Sequence, residues 1–320
     1  MKRIAVVAVL VGLALGGLVA ASCGSQDEAV PVGAADTSAA DTSTTDTSST
    51  EGEGATRTGG GSQTTTNTGS PPDTVEAPPG EELVTYEVWF HRGEHLFVAR
   101  RSQDATLAVG RAAIEALLEG PSVHETQRDV QTSVPGGTEL LGLDIDDGIA
   151  RVDLTSEYES GGGSLSMTMR LAQVVYTLTQ FETVDAVQFM LDGERVDVFS
   201  AEGIVLDHPV RRRDYAELLP PILVTSPGIE DTVDNPLTIQ GSANVFEANV
   251  TIRVEDAAGK ELARTFTTAT CGSGCRGTFS ASVRLRPTDE THAFVILSDD
   301  DADGDGRPSY EVEVPVRLSG

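Results

Sequence analysis

The sequence predicts an α+β domain of order ββαββαββ, with its helices on one face of a mixed sheet, followed by an all-β sandwich of the immunoglobulin-like type. Three observations carry this. Between Val84 and Val198 the apolar spacing switches between a period of two and a period near 3.6, so that a helix followed by a hairpin occurs twice. From Ile222 onward only period-two segments remain, seven of them in about 100 residues. Before Leu83 neither pattern exists.

In chain order, Val84–Phe90 and His95–Arg100 read as two strands joined at Gly93. Leu107, Gly110, Ile114, Leu117 and Leu118 recur at helical spacing, and Gly120-Pro121 stops the helix. Leu141, Leu143 and Ile145 alternate into a turn at Asp147-Gly148, and Ala150, Val152 and Leu154 alternate back. A glycine run, Gly161–Gly163, precedes a second helix capped by Ser164 or Ser166. Its apolar face is Met167, Leu171, Val174, Val175, Leu178 and Phe181. Val187, Phe189 and Leu191, a turn at Asp192-Gly193, then Val196 and Val198 make a closing hairpin. Two helices on one face of a mixed sheet is the packing this order favours. The seven sandwich strands are Ile222–Thr225, Leu237–Ala243, Ala248–Glu255, Glu261–Thr267, Thr278–Leu285, His292–Ser298 and Tyr310–Leu318. The expected division is a leader over 1–22, a tether over 23–82, the α+β domain over 83–216, a linker over 217–221 and the sandwich over 222–320. The pair Pro220-Pro221 should limit hinge freedom in the linker.

The leader opens with Lys2 and Arg3 and continues uncharged from Ile4 to Ala21. Small residues and a cysteine close it, which favours a processed signal over a membrane-spanning helix. Val19-Ala20-Ala21-Ser22-Cys23 resembles the bacterial lipobox, which implies cleavage before Cys23 and lipid attachment to it; Ala20 stands where leucine is commoner. The expected location is the extracytoplasmic face of the cell membrane, held by the lipid. Gly24 to Glu82 repeats Asp-Thr-Ser, then runs of glycine, threonine and proline, with too little apolar surface to offset chain entropy. A flexible chain of about 55 residues spans roughly 40 Å root-mean-square.

Fifty acidic against 22 basic residues give a net charge of −28, which excludes nucleic acid as a partner by simple repulsion. Four segments invite a chemical reading. Cys271 and Cys275, in an oxidising compartment, read as a disulfide, and the glycines between them allow the bend. Asp301, Asp303 and Asp305, with Gly306, have the 1, 3, 5 spacing of a calcium loop, but Val312 stands where a bidentate glutamate would. A weak calcium site and a solvated acidic turn both remain open there, and no other cofactor is implied. His91 and His95 flank a predicted turn, which favours a plain surface turn over zinc. Gly161–Ser164 lacks the lysine of a phosphate loop.

Several ordered segments carry a family resemblance. Ala112–Pro121, Val134–Thr138, Gly148–Leu154 and Gln173–Phe181 resemble GerMN domains of sporulation and germination proteins, over roughly 83–216. Val224–Pro227, Asn235-Pro236, Gln240–Ala243 and Val245–Ala248 are similar to the immunoglobulin-like domain that accompanies GerMN in germination-associated proteins, over about 222–318. The resemblance implies a non-catalytic module, similar to ring-building domains and found in sensor-associated envelope lipoproteins, with no catalytic residues to carry over. The expected partners are envelope or membrane proteins, or a second copy through the GerMN domain. A cell-wall glycan-binding module is the alternative.

Overall fold

The computed structural model describes residues 83–299 and 308–319, all within one compact unit, Thr74–Gly320. Leu83–Arg92 (β1) and His95–Asp104 (β2) form an antiparallel hairpin. Val109–Glu119 (α1) follows, then the single turn Val123–Thr126 (α2) and Val130–Gln131 (β3). Leu140–Asp146 (β4) and Ile149–Leu154 (β5) make the next hairpin. After Ser164–Leu178 (α3), Ala186–Leu191 (β6) runs parallel to β5, and Glu194–Arg195 (β7) folds back on it. Val198–Phe199 (β8) and Ile204–Val205 (β9) pair as a separate ribbon. The strands therefore divide into an antiparallel sheet, β2-β1-β3, and a mixed sheet, β4-β5-β6-β7, and α3 touches β1 of one and β6 of the other.

Local details differ from the sequence expectation for identifiable reasons. α1 starts at Val109 with Ala108 as its N-cap, which leaves Leu107 fully exposed outside the helix. Register shifts between Leu140 and Gly142, so Leu141 is pushed out of the ladder and Leu140 and Leu143 pack inward in its place. Neither Ser164 nor Ser166 caps α3; extended Gly163 takes that position. Val196 continues the β6 hairpin, its amide donating to the Phe189 carbonyl at 3.1 Å, but Val198 leaves it and faces Val205 in the separate ribbon. The largest difference concerns α3. It was expected to bury one face, yet residues 169 to 178 are all buried, including Arg170, Gln173 and Thr177. A helix wrapped on all sides must satisfy every polar group it carries.

It does so by sealing a sheet edge. In an antiparallel strand the amide and carbonyl of alternate residues point to the same side. On the side of β1 away from β2 these are the groups of Glu87, Trp89 and His91, and β3 pairs only at His91 and Arg92. The Trp89 amide donates to Thr177 Oγ1 at 3.0 Å, and Gln173 Nε2 donates to the Trp89 carbonyl at 3.0 Å. The Glu87 amide donates to Gln180 Oε1 and Gln180 Nε2 donates to the Glu87 carbonyl, each at 2.7 Å. Gln173 Oε1 also accepts the Ser133 amide at 2.8 Å. A stripe spaced i, i+4, i+7 thus replaces a neighbouring strand.

The C-terminal part is a two-layer sandwich. Ile222–Ser226 (β10), Leu237–Ala243 (β12) and Gly277–Val283 (β15) form one sheet. Thr232–Val233 (β11), Asn249–Asp256 (β13), Glu261–Thr268 (β14), His292–Ser298 (β16) and Glu311–Leu318 (β17) form the other, in the order β11-β17-β16-β13-β14. β11 lies in a segment expected to be a turn and pairs parallel to β17. Gly241 must be glycine: a Cβ there would sit 2.1 Å from the Leu223 carbonyl oxygen and 2.6 Å from the Phe279 ring.

Strand alternation ties the two domains together at β10. Ile222 and Val224 point into the sandwich core, while Leu223 between them joins the core of the α+β domain. Arg128 adds an ion pair to Glu313 at 3.1 Å and lies 5.5 Å from the Phe294 ring centroid.

Two predictions follow from these contacts. Leu223→Ala removes a buried side chain from one core only and should cost about 2–5 kcal/mol; calorimetry should show the α+β domain melting earlier, as a transition split from that of the sandwich. Thr177→Val keeps the volume but leaves the buried Trp89 amide unpaired, a loss of about 1–3 kcal/mol. Urea denaturation of Thr177→Val beside Thr177→Ser, which keeps the acceptor, checks this; equal stability of the two variants would contradict the edge-sealing role.

Candidate functional site

The residues singled out from sequence fall in different places. Cys23 and the aspartates Asp301, Asp303 and Asp305 lie outside the described residues. On either side of the acidic loop, the Tyr310 amide donates to Asp299 Oδ1 at 2.9 Å and the Asp299 amide to the Tyr310 carbonyl at 3.2 Å, closing the β16–β17 stem. Cys271 and Cys275 are bridged with a Cα–Cα distance of 5.7 Å, in the connection that carries the chain from β14 to β15. That loop docks on the segment before β13: the Gly274 amide donates to Asn244 Oδ1 and the Glu247 amide to Ser273 Oγ. Among the described residues no three His, Cys, Asp or Glu side chains gather as a metal site.

The histidines are set apart by register. His91 faces Leu96 across the hairpin and His95 faces Arg92, so the two rings leave opposite faces of the sheet and share no ligand. His91 is not a plain turn residue. Its Nδ1 lies 3.0 Å from the Gly93 carbonyl oxygen and its Nε2 lies 3.1 Å from Ser133 Oγ. Burial pushes the imidazole below its ordinary value of 6.5, opposed by backbone hydrogen bonds to Gly93 and Thr132.

This pair stands at one wall of a cavity of about 540 Å³, which also has Gly161, Gly162, Leu165, Met169 and Arg170 in its lining. Arg170 is 2% exposed and has no carboxylate partner among the described residues. Its guanidinium donates to the carbonyls of Ser133 at 3.0 Å, Ser160 at 3.1 Å, Gly161 at 3.2 Å and Tyr158. The cation therefore closes the loop 158–161 and the segment at Ser133 onto α3. Hydrolysis would need donors aimed at a developing oxyanion beside the Ser133–His91 pair. The Arg170 donors are instead committed to carbonyls, and the pair secures the β1–β2 turn. Among the described residues no carboxylate lines the cavity, although the chain is strongly acidic. Polar at the rim and apolar at Val134, Pro135, Leu165 and Met169, it has the make-up of a recognition pocket.

The second polar region is the face between the domains. Arg212, half-buried, lies 5.4 Å from the Trp89 ring centroid and 4.9 Å from that of Tyr176. It donates to Thr179 Oγ1 and the Tyr176 carbonyl, each at 2.8 Å. The Tyr176 hydroxyl is pushed up to about 12 by burial, which outweighs the nearby charges of Arg212 and Arg276.

Residues 80–197 match the Germane family, described as sporulation and spore germination. Residues 221–305 match Gmad2, the immunoglobulin-like domain of bacterial spore germination. The chain is a GerMN-type, germination-associated protein with a C-terminal immunoglobulin-like domain. Among solved structures, the first GerMN domain of the sporulation protein GerM from Bacillus subtilis is similar at 21% identity, over 41% of this chain and 99% of that one, with a TM-score of 0.35. The tandem GerMN domains of that protein are similar at 16% identity, over 64% of this chain and 63% of that one, with a TM-score of 0.37. No curated protein sequence matches the chain. The 540 Å³ cavity lies wholly in the GerMN domain, and the arginine-lined face lies between it and its immunoglobulin-like companion.

Sequence reading passed over Arg170, Gln173, Thr177, Gln180, Arg212 and Arg276. A usable signal existed for α3: polar residues stand at 173, 177 and 180 within an otherwise apolar run. Nothing local marks the arginines.

The depressed pKa of His91 gives a pH prediction. The unfolded chain takes up this proton below about 6.5 while the folded chain does not, so the His91 contribution is complete above that pH and is lost as pH falls toward the folded value. His91→Asn should flatten the slope of stability against pH in this window, measured by urea denaturation from pH 7.5 to 5. An unchanged slope would show that the ring titrates as if in water.

Proposed function

We propose that this protein is a lipid-anchored, non-catalytic module on the outer face of the cytoplasmic membrane, and that its GerMN domain binds an envelope or membrane protein. The observation that carries this reading is the pairing of two germination-type domains in one compact unit, after a long polar segment and the Val19–Cys23 motif. The tether supplies reach. Leu223 and Arg128 join the two domains within one compact unit. The carboxylate-free cavity next to exposed Leu165 is the surface of the GerMN domain best suited to receive a partner side chain.

The test joins anchoring to contact. Cys23→Ala should leave unlipidated precursor, followed by mass and membrane fractionation. In the otherwise native chain, a photo-crosslinking residue at Leu165 should trap a discrete membrane-fraction protein, whereas one at exposed Phe266 on the sandwich should not. Normal processing of Cys23→Ala removes the anchor from the proposal, and equal products from Leu165 and Phe266 remove the GerMN-centred contact.

A further inference from the structure

Four arginines converge on the face between the two domains. Two adjoining cavities, of about 410 and 450 Å³, share Glu87, Arg212 and Thr225 in their lining. Together they form a groove in the size range of small-ligand sites, about 300–1,000 Å³. Arg100, Arg212, Arg213 and Arg276 line it, and Glu87 is the single carboxylate among the lining residues. This inverts the balance of a chain with 50 acidic and 22 basic residues.

The partners of these arginines matter more than their number. Arg276 donates to the carbonyl and hydroxyl of Ser242 and to the Pro220 carbonyl, all neutral acceptors. The acceptors of Arg212, Thr179 Oγ1 and the Tyr176 carbonyl, are neutral too. Neither forms an ion pair among the described residues, although both are half-buried and burial lowers the pKa of each. The Glu87 carboxylate accepts from the Trp89 indole at 3.1 Å and its charge acts on Arg212 without an ion-pair contact, while Arg100 lies 4.0 Å from Asp231. Arg213, whose side chain is 80% exposed, stands at the mouth, 3.7 Å from Asp214. Uncompensated guanidinium charge beside low-dielectric aromatic walls is stabilised by an anion, and the planar fork of arginine suits phosphate or carboxylate.

The rest of the lining specifies what the anion is attached to. Thr225, Gln240 and Thr278 line the groove with hydroxyl and amide groups outside the bonds that hold the junction, whereas Thr179 is tied to Arg212 and Gln180 to the β1 edge; such groups read a hydroxylated ligand. We infer that the interdomain groove binds a hydroxylated anionic chain, a sugar or polyol segment bearing phosphate or carboxylate groups, with Arg212, Arg213 and Arg276 holding the anion. This goes beyond the protein contact proposed for the GerMN cavity, which has different walls, and can fail without it.

Trp89 is the only tryptophan of the chain and lies under Arg212, so its emission reports on the groove. The full chain is titrated at constant ionic strength with poly(glycerol phosphate), with oligogalacturonate and with neutral dextran, and calorimetry is run in parallel. Saturable binding of one or both anionic probes, with none for dextran, is expected, and the better probe identifies the anionic group. Affinity should fall as salt is raised. Arg276→Gln and the exposed Arg213→Gln should each weaken binding about tenfold, the scale of one charged hydrogen bond, while Arg111→Gln, on α1, should leave it unchanged. Failure of both anionic probes to saturate overturns the inference, as does undiminished affinity in Arg213→Gln and Arg276→Gln together.

Discussion

The α+β domain depends on the contact between α3 and the open edge of β1. Four backbone groups, the amides and carbonyls of Glu87 and Trp89, would otherwise be orphaned where Trp89 is 1% exposed. Leaving each unmade would cost about 1–3 kcal/mol, on the scale of the whole stability of a domain. Gln173, Thr177 and Gln180 remove that cost, and in doing so they fix α3 along and around its axis. An apolar contact tolerates small slides; a run of directional bonds does not. With α3 fixed, Tyr176 meets Trp89 at a centroid distance of 4.7 Å, and Arg212 is laid over both rings.

That placement propagates to the junction. Arg212 begins the 3-10 segment Arg212–Leu218, whose Leu218 belongs to the first core, and Pro220-Pro221 then leads directly into β10. Because β10 supplies side chains to two cores by simple alternation, the sandwich has little freedom to pivot about the linker. The groove between the domains is thereby part of one compact unit. Its arginines are positioned by backbone carbonyls and hydroxyls, which hold them without neutralising them.

Much of this was legible in the sequence, and the parts that were not share a cause. Periodicity located every long strand of the sandwich and both long helices, because each buries a regular face. The division of the α+β strands into two sheets was not visible, since alternation reports which face is buried and not which strand is the neighbour. The bulge at Leu141 and the detachment of Val198 escaped for the same reason: an apolar residue reads as inward until the register is known. Polar core residues are the reverse case. Gln173 and Thr177 are ordinary helix-surface residues by type, and only the open edge of β1 turns them into core. Arg212 and Arg276 lie 64 positions apart on different domains, so no local window could join them.

The arginines of this acidic chain fall into classes that separate support from recognition. Arg151, bonded to Asp144 at 3.0 Å, and Arg264, bonded to Glu261 at 2.8 Å, are neutralised on the surface, where such pairs contribute little. Arg170 is held by four carbonyls and nearly inaccessible, so its charge is spent on the fold and a ligand could not reach it without dismantling loop 158–161. Arg212 and Arg276 differ in one respect: neutral acceptors hold them in the same way, yet both line an open groove. If they served only to hold the junction, neutral donors could make the same bonds without the desolvation that depresses their pKa values. A retained, half-buried charge that lines an open groove without an ion-pair partner among the described residues is what an anion-binding surface requires and what a purely structural tie does not.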